Sequence, residues 1–267
     1  MRTVKRYLRL YRVFLAQFFK SLVQSKADFF LGLVGFFLTQ ATGIAFLYLV
    51  FRQIPMLQGW TLDQLIFIYG FAQIPRGIDH LFTDNIWIVA YRLVVSGQFD
   101  RYMLRPMNIF LQVIFERLQP DALGELIVGI ILVVASLTKG IVLVDAVRIV
   151  LFFVSILAGA LIYTAVKLFF ASLSFWIKRS GPVLQTAYEL ANFAKYPTEI
   201  YARFVRFIIT YVIPFAFVAY LPASYFVKKE VNPVSTIGVE CLIAVVFFAI
   251  AYLVFHRGTK RYESAGN

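Results

Sequence analysis

The sequence contains several apolar runs that are long enough to cross a lipid bilayer as helices. A helix rises about 1.5 Å per residue, so a hydrocarbon core of about 30 Å needs roughly 20 apolar residues. The longest run, at about residues 142–177, exceeds that length and must tilt or protrude. Because a backbone in lipid has to satisfy its polar groups internally, runs of this kind indicate membrane-spanning helices.

The composition agrees with this interpretation. Hydrophobic residues make up 61% of the 267 residues, charged residues make up 15%, and the mean hydropathy is +0.78. A soluble domain carries about 45–50% apolar and about 25% charged residues. The chain is therefore expected to be an all-α integral membrane protein with a single membrane domain.

Two regions are predicted within the chain. Residues 1–26 have apolar side chains at helical spacing and basic side chains on the other side, which is typical of an amphipathic helix at the membrane surface. Residues 27–267 are predicted to form a six-helix transmembrane domain. Its spans are expected at about 28–51, 61–80, 109–137, 142–177, 204–222 and 236–255.

The basic residues predict the orientation of these spans. If six spans cross, 20 of the 26 Lys and Arg residues fall on the side that holds both termini. Cytoplasmic loops carry the excess of Lys and Arg, so both termini are predicted to be cytoplasmic. The net charge of +12 then reflects topology and anionic lipid headgroups rather than a nucleic-acid partner.

Motifs for chemistry on this chain are missing from the sequence. It contains no G-x-x-x-x-G-K-[ST] nucleotide loop, no H-E-x-x-H zinc motif and no G-x-S-x-G nucleophile elbow. We therefore expect no catalytic residues, cofactor or metal on this chain. The alternatives to a passive transport subunit are an ion-coupled secondary transporter and a membrane-embedded enzyme of lipid or polymer assembly.

Charged residues inside the predicted spans form a second candidate site. Lys167 lies deep in the fourth span, whereas Asp121 and Glu125 lie four residues apart on one face of the third. Because an unpaired charge in lipid is expensive, Lys167 is expected to pair with Glu125 or Asp121. The pair is either an interhelical tie or a proton relay, and the tie is the favoured interpretation.

A polar segment, SGQFDRYMLRPMN at residues 96–108, lies between the second and third predicted spans. It is either a solvated loop or a docking surface for another protein. Phe99, Tyr102 and Leu104 offer apolar anchors, and the charged side chains offer charge-assisted hydrogen bonds. The candidate contact residues are Gly97, Gln98, Phe99, Asp100, Arg101, Tyr102, Leu104, Arg105 and Pro106.

This segment resembles the G-x-[FL]-D-x-x-L-x-R-P-x-N pattern that follows the second span in a subgroup of ABC-2-type exporter permeases. The Tyr196-Pro197 pair and the sequence IPFAFVAYLP, which contains Pro214, are similar to later elements of the same subgroup. The resemblance covers nearly the whole chain. It implies a six-span fold with an amphipathic N-terminal helix, a coupling helix between spans two and three, and a loop after span five that re-enters from outside.

The same resemblance implies the partners. Two separate ABC ATPase subunits bind ATP and Mg²⁺ and contact the coupling segment, and a second permease, identical or paralogous, completes the path. The membrane implied is a bacterial inner (plasma) membrane. Spans one, two and five are expected to line a path for an amphipathic or hydrophobic substrate. Candidate lining residues are Phe36, Gln40, Tyr69, Gln73, Pro214 and Phe217, although Gln40 and Gln73 also suit hydrogen bonds between helices.

Overall fold

The computed structural model describes residues 26–263, and its principal elements are helices. The amphipathic helix predicted over residues 1–26 lies outside this range apart from its last residue. Seven helices of eight residues or more are described: α1 (Lys26–Gln53), α2 (Leu62–Thr83), α3 (Leu123–Thr138), α4 (Ala146–Ser172), α5 (Gly181–Glu189), α6 (Tyr220–Val227) and α7 (Val239–Arg261). Shorter helical segments lie at Ile86–Ile88, Val89–Leu93, Asp100–Met103, Ile109–Phe115, Pro120–Ala122, Ser174–Ile177, Leu190–Lys195, Thr198–Ile200, Arg203–Phe207, Ile208–Val212, Phe215–Phe217 and Val234–Gly238.

Helix α2 lies at the centre of the bundle. It begins at a capping box, in which the Thr61 side chain accepts from the Gln64 amide and the Gln64 side chain accepts from the Thr61 amide. Small residues let α3 approach closely, because a Cβ added to Gly129 would stand 2.9 Å from the carbonyl oxygen of Gly70. Most of α2 is consequently buried between α3 and α4.

Among residues 26–263, four stretches are long and apolar enough to cross a membrane. They are Phe30–Gln53, Pro120–Thr138, Ala146–Ile177 and Val234–Arg261. A fifth candidate is the bent pair Arg203–Val212 and Phe215–Val227, whose two parts meet at 73°. Helix α2 is less apolar than these stretches because it carries charged residues such as Arg76 and Asp79. The composition and these helices identify a multi-pass membrane protein.

Contacts between the helices define two ends of the bundle. At one end, which we call the terminal end, Phe99 packs against Phe175 just after α4 and against Tyr262 just after α7. At the opposite end, Lys139 pairs with Asp63 at the start of α2 over 2.7 Å. Helices α2, α4 and α7 therefore run toward the terminal end, and α3 runs in the opposite direction.

The stretch at 109–137, predicted as one span, is divided in two. Ile109–Phe115 is a separate short helix, and the candidate span begins only at Pro120. Gln119 is extended (φ −106°, ψ 105°), as expected for a residue before proline, and its amide donates to the carbonyl of Leu81 over 3.2 Å. The first half of this stretch thus packs at the terminal end instead of extending α3.

Residues 181–199 run along α2 from its end to its beginning. Tyr188 donates to Asp79 over 2.7 Å, and Arg76 donates to Asn192 over 3.0 Å. Further along, the Lys195 ammonium lies 5.1 Å from the centre of the Tyr69 ring. The residue number rises on one segment as it falls on the other, so the two segments are antiparallel.

This path reaches the opposite end. Glu199 interacts with Tyr220, whose ring packs edge-on against Trp60, just before α2. Residues 181–199 span roughly 30–35 Å, as estimated from the usual rise per residue of an α-helix, a 3₁₀ helix and an extended chain. The sequence predicts the fifth span at about 204–222, within the bent candidate span, because the polar residues in 181–199 lower the hydropathy of that stretch.

The bend of the 203–227 pair lies inside the bundle, where the Phe215 ring packs 5.4 Å from the Tyr163 ring of α4. Pro214 has no amide hydrogen to continue the preceding helical turns, and Phe215 donates to the carbonyl of Ile213 over 2.6 Å in a tight turn. Beyond the bend, the Phe226 carbonyl in α6 accepts from Leu143, in the connection between α3 and α4. The α6 arm therefore contacts the connection between α3 and α4 at the opposite end.

Candidate functional site

A buried charge cluster joins α2, α4 and α5. Lys167 of α4 donates to Asp79 over 2.8 Å and to Asp84 over 3.2 Å. Lys167 and Asp79 are both buried. Asp79 also accepts hydrogen bonds from three hydroxyl groups, those of Thr83 (2.5 Å), Thr164 (2.8 Å) and Tyr188 (2.7 Å). A buried carboxylate with this many donors is held in one position.

The partners of Lys167 differ from those expected from the sequence. Glu125 pairs with Arg76 over 3.4 Å and faces His80 at 3.6 Å, and Asp121 lies 3.8 Å from His80. Helix α2 lies between α3 and α4, so the carboxylates of α3 meet side chains of α2 before they can reach Lys167. Arg76 and His80 are four residues apart and share the helix face toward α3.

The geometry favours a structural tie over a relay. The ammonium of Lys167 has two carboxylates, and the carboxylate of Asp79 has four donors, so neither group is left without hydrogen bonds. Breaking such a pair leaves an uncompensated charge in a poorly polarisable interior. The sequence pointed to Lys167 but missed Asp79 and Asp84. Asp79 lies at the end of the span predicted at about 61–80 and Asp84 lies just after it, and this position was the available signal.

A polar contact joins α1 to α2. Gln40 accepts hydrogen bonds from the Tyr69 hydroxyl over 2.5 Å and from the Gln73 amide over 3.0 Å. All three side chains are buried, and the Gln73 carbonyl oxygen is a buried acceptor for which no donor is found in the described part of the chain. Three of the six predicted path residues therefore lie together, through hydrogen bonds between helices.

The other three predicted path residues lie elsewhere in the bundle. Phe36 lies against Gly124 at the start of α3, where a Cβ on the glycine would stand 2.8 Å from the Phe36 ring. Pro214 is buried at the bend of the 203–227 pair, and Phe217 lies half-buried three residues later.

Lys195 lies beside the polar contact between α1 and α2, and it is not among the site residues predicted from the sequence. Its ammonium lies over the Tyr69 ring at 5.1 Å, a distance at which a cation and an aromatic face attract. In the sequence, the only feature that indicates a role for Lys195 is its position directly before the Tyr196-Pro197 pair.

The polar segment at 97–106 is attached firmly to the terminal end. Gly97 adopts a positive φ of 71°, which glycine accommodates without strain, and turns the chain into the short helix Asp100–Met103. Tyr102 donates to Glu116, and Arg101 pairs with the same carboxylate over 3.0 Å. Burial raises the pKa of Tyr102 to about 12, and the hydrogen bond with Glu116 also raises it, so the hydroxyl stays protonated at neutral pH.

The structure corrects the set of anchors predicted for this segment. Phe99 and Tyr102 are fully buried inside the chain, and Asp100 interacts with Tyr262. Leu104 is 85% exposed, and it lies at a tip together with exposed Met103, Arg105 and Pro106; Gln98 is also exposed. Phe99 and Tyr102 therefore anchor the segment to its own bundle, and the tip is the part that faces outward.

These features define a multi-pass helical membrane protein with a short protruding segment at one end. Residues 37–266 match the model of a family described as ABC-2 family transporter protein. This match covers most of the chain, which therefore belongs to the ABC-2 family and is the membrane permease of an ABC transporter. Membership of this family implies ABC ATPase partners. A comparison with curated proteins finds no significant match.

Proposed function

We propose that this chain is the permease subunit of an ATP-driven exporter. It pairs with a second permease, identical or paralogous, and two separate cytoplasmic ATPase subunits bind the ATP and Mg²⁺. The observation that carries the proposal is the segment 97–106, which presents an exposed apolar tip on a rigid base outside the candidate spans.

The attachment of this segment suits the transmission of force. Phe99 packs against Phe175 and Tyr262, which follow α4 and α7, so a push on the tip acts on two long helices together. Gln112 donates to the backbone carbonyls of Tyr102 (3.1 Å) and Met107 (3.0 Å) and so closes the segment from its other side. An ATPase that closes on the tip would move the helices rather than bend a loop.

The proposed topology has six crossings, with α2 and residues 181–199 as the two less apolar ones. The contacts of residues 181–199 along α2 support the fifth crossing, and the bent pair then re-enters from the outside. The terminal end faces the cytoplasm of a bacterial inner membrane. In this topology Arg203 and Arg206 are assigned to the outer side, but the basic residues of both chain ends still favour this orientation.

The proposed path lies along α1, α2 and residues 181–199 and carries an amphipathic or hydrophobic substrate outward. Gln40, Tyr69 and Gln73 support this position, since they are polar groups at membrane depth. The satisfied cluster around Lys167 gives little support to an ion-coupled secondary transporter. A membrane enzyme of lipid or polymer assembly has no observation in its favour here.

Co-purification tests the proposal. When the chain is expressed with the ATPase encoded nearest to it, we expect a stable complex that hydrolyses ATP and contains two permeases and two ATPases by mass. A catalytically inactive ATPase should assemble equally well but abolish export. Transport that continues without the ATPase and follows a proton gradient would contradict the proposal.

A further inference from the structure

Lys195 is a cation at membrane depth without an acidic partner. Among the ion pairs of residues 26–263, none includes Lys195, although the cations Arg76 and Lys167, which also lie deep in the bundle, have carboxylate partners. Tyr69 lies seven residues into α2, so Lys195 is about 10 Å from the beginning of that helix. A charge at such a depth is expensive unless it is paired.

The groups around Lys195 do not supply the missing anion. Arg76 is positive, and its partner Glu125 is already engaged with Arg76 and His80. Tyr69, Tyr196 and Glu189 are the other titratable groups that act on this region, and the Glu189 carboxylate accepts from the amides of Gln185 and Asn192. Within the described part of the chain, the Tyr69 ring is the one close partner found for the Lys195 ammonium.

A second group at the same place also lacks a partner. The side-chain oxygen of Gln73 is buried, and the described residues offer it no donor. Gln73 lies four residues after Tyr69, so both face the same side of α2. A ligand that carries an anion together with a hydrogen-bond donor would satisfy both unpaired groups.

Helix α1 covers this place with few contacts. Of the α1 side chains that the structure describes, only Gln40 and Leu47 are buried. Gln40 makes its two hydrogen bonds to Tyr69 and Gln73. A small displacement of α1 would therefore uncover the groups next to Lys195 without disrupting an extensive apolar interface.

We propose that Lys195, Tyr69 and Gln73 form a subsite for the anionic headgroup, a carboxylate or a phosphate, of an amphipathic substrate. This inference rests on the proposed function, because it places the subsite on the proposed path. The Lys195 ammonium pairs with the anion, the Tyr69 ring flanks it, and the Gln73 oxygen accepts from a hydroxyl or amide donor of the headgroup. The apolar remainder of the substrate contacts the surrounding aromatic and aliphatic side chains.

A matched pair of fluorescent probes tests the charge requirement. The probes are 11-(dansylamino)undecanoic acid and its methyl ester, titrated into the purified permease–ATPase complex in a non-ionic detergent at pH 7. We expect the acid to bind at least about tenfold more tightly than the ester, which is the size of one charge-assisted hydrogen bond. Equal affinities, or no binding of the acid, would overturn the proposal.

Substitutions then identify the cation. Lys195→Gln should weaken binding of the acid about tenfold and leave the ester unchanged, whereas Lys195→Arg should retain the preference. Lys139→Gln is the matched control, because that lysine is exposed and paired with Asp63 at the opposite end. If Lys195→Gln keeps the preference for the acid, Lys195 is not the binding group.

The preference for the acid separates binding from a structural role. The Lys195→Arg complex should keep this preference, since arginine also carries a positive charge. A complex that assembles and hydrolyses ATP but binds the acid and the ester equally refutes the subsite alone, whereas failure to bind an ATPase refutes the proposed function.

Discussion

The side chain of Lys167 shows how this chain accommodates a full charge between apolar helices. The ammonium meets two carboxylates, and Asp79 in turn meets three hydroxyl donors from α2, α4 and α5. Desolvation of both ions opposes folding, so the pair is stable only because its hydrogen bonds are complete. The cluster consequently fixes the relative positions of three segments.

Removal of one partner should be costly. We expect Lys167→Ala to lower the free energy of unfolding by about 3–5 kcal/mol, because Asp79 is left buried without its cation. The double variant Lys167→Met with Asp79→Asn should recover part of this loss, since the amide oxygen still accepts from Thr83 and Thr164, and the amide nitrogen donates to the Tyr188 hydroxyl oxygen. Denaturation of the detergent-solubilised protein, followed by tryptophan fluorescence, measures the difference.

A surface pair provides the control for this prediction. Lys139 and Asp63 lie 2.7 Å apart but are substantially exposed, so Lys139→Ala should change the stability by less than about 1 kcal/mol. If Lys167→Ala is equally mild, the cluster does not hold the helices together. A variant that assembles normally but loses proton-driven transport would instead favour a relay.

The sequence predicted the need for this tie but not its members. A lysine in an apolar run requires an anion, and that requirement follows from composition alone. The carboxylate that pairs with this lysine depends on the rotation of α2 about its axis and on the position of α2 between α3 and α4. Asp121 and Glu125 were wrong as partners because Arg76 and His80 lie in the way.

At the scale of the element, the residues of segment 97–106 fall into two groups, one packed inward and one exposed at the tip. Phe99 and Tyr102 pack inward and fix the short helix to α4 and α7. Leu104 projects from the tip. All three are apolar or aromatic, and local sequence does not indicate which of them tertiary packing will bury.

The two groups of residues should respond differently to substitution. Leu104→Asp should reduce co-purification of the ATPase at least about tenfold without changing stability, because a charge then faces an apolar contact. Phe99→Ala should lower the free energy of unfolding by about 3–5 kcal/mol through loss of buried ring contacts. Pull-down and denaturation of each variant, measured together, separate the two effects.

Gln98→Ala is a suitable control, since that side chain is exposed on the same segment. It should leave both the stability and ATPase binding close to those of the wild type. A Leu104→Asp variant that still retains the ATPase would show that the tip is not the docking point.

At the scale of the whole molecule, the sequence predicts the first, second, fourth and sixth helical stretches well. It misses the division of the third stretch and, in the topology proposed above, the crossing of residues 181–199. Residues 181–199 carry polar side chains that pair with α2, whereas the more apolar stretch from Arg203 to Val227 is bent by 73° near Pro214. Hydropathy measures partition into lipid, so it misses a segment whose polar groups are paired inside the protein.

The proposed crossing of residues 181–199 can be decided by labelling single cysteines. Cys241 is the only cysteine of the chain, so a Cys241→Ser background allows one new thiol at a time. In sealed vesicles of known orientation, a membrane-impermeant maleimide should reach Gln185→Cys from the same side as Leu104→Cys. It should reach Glu199→Cys from the other side, as it does Lys139→Cys. All four positions are exposed, so accessibility does not bias the comparison. If Glu199→Cys reacts on the side of Leu104→Cys, the crossing lies after residue 199, and both the proposed path and the depth of Lys195 must be abandoned.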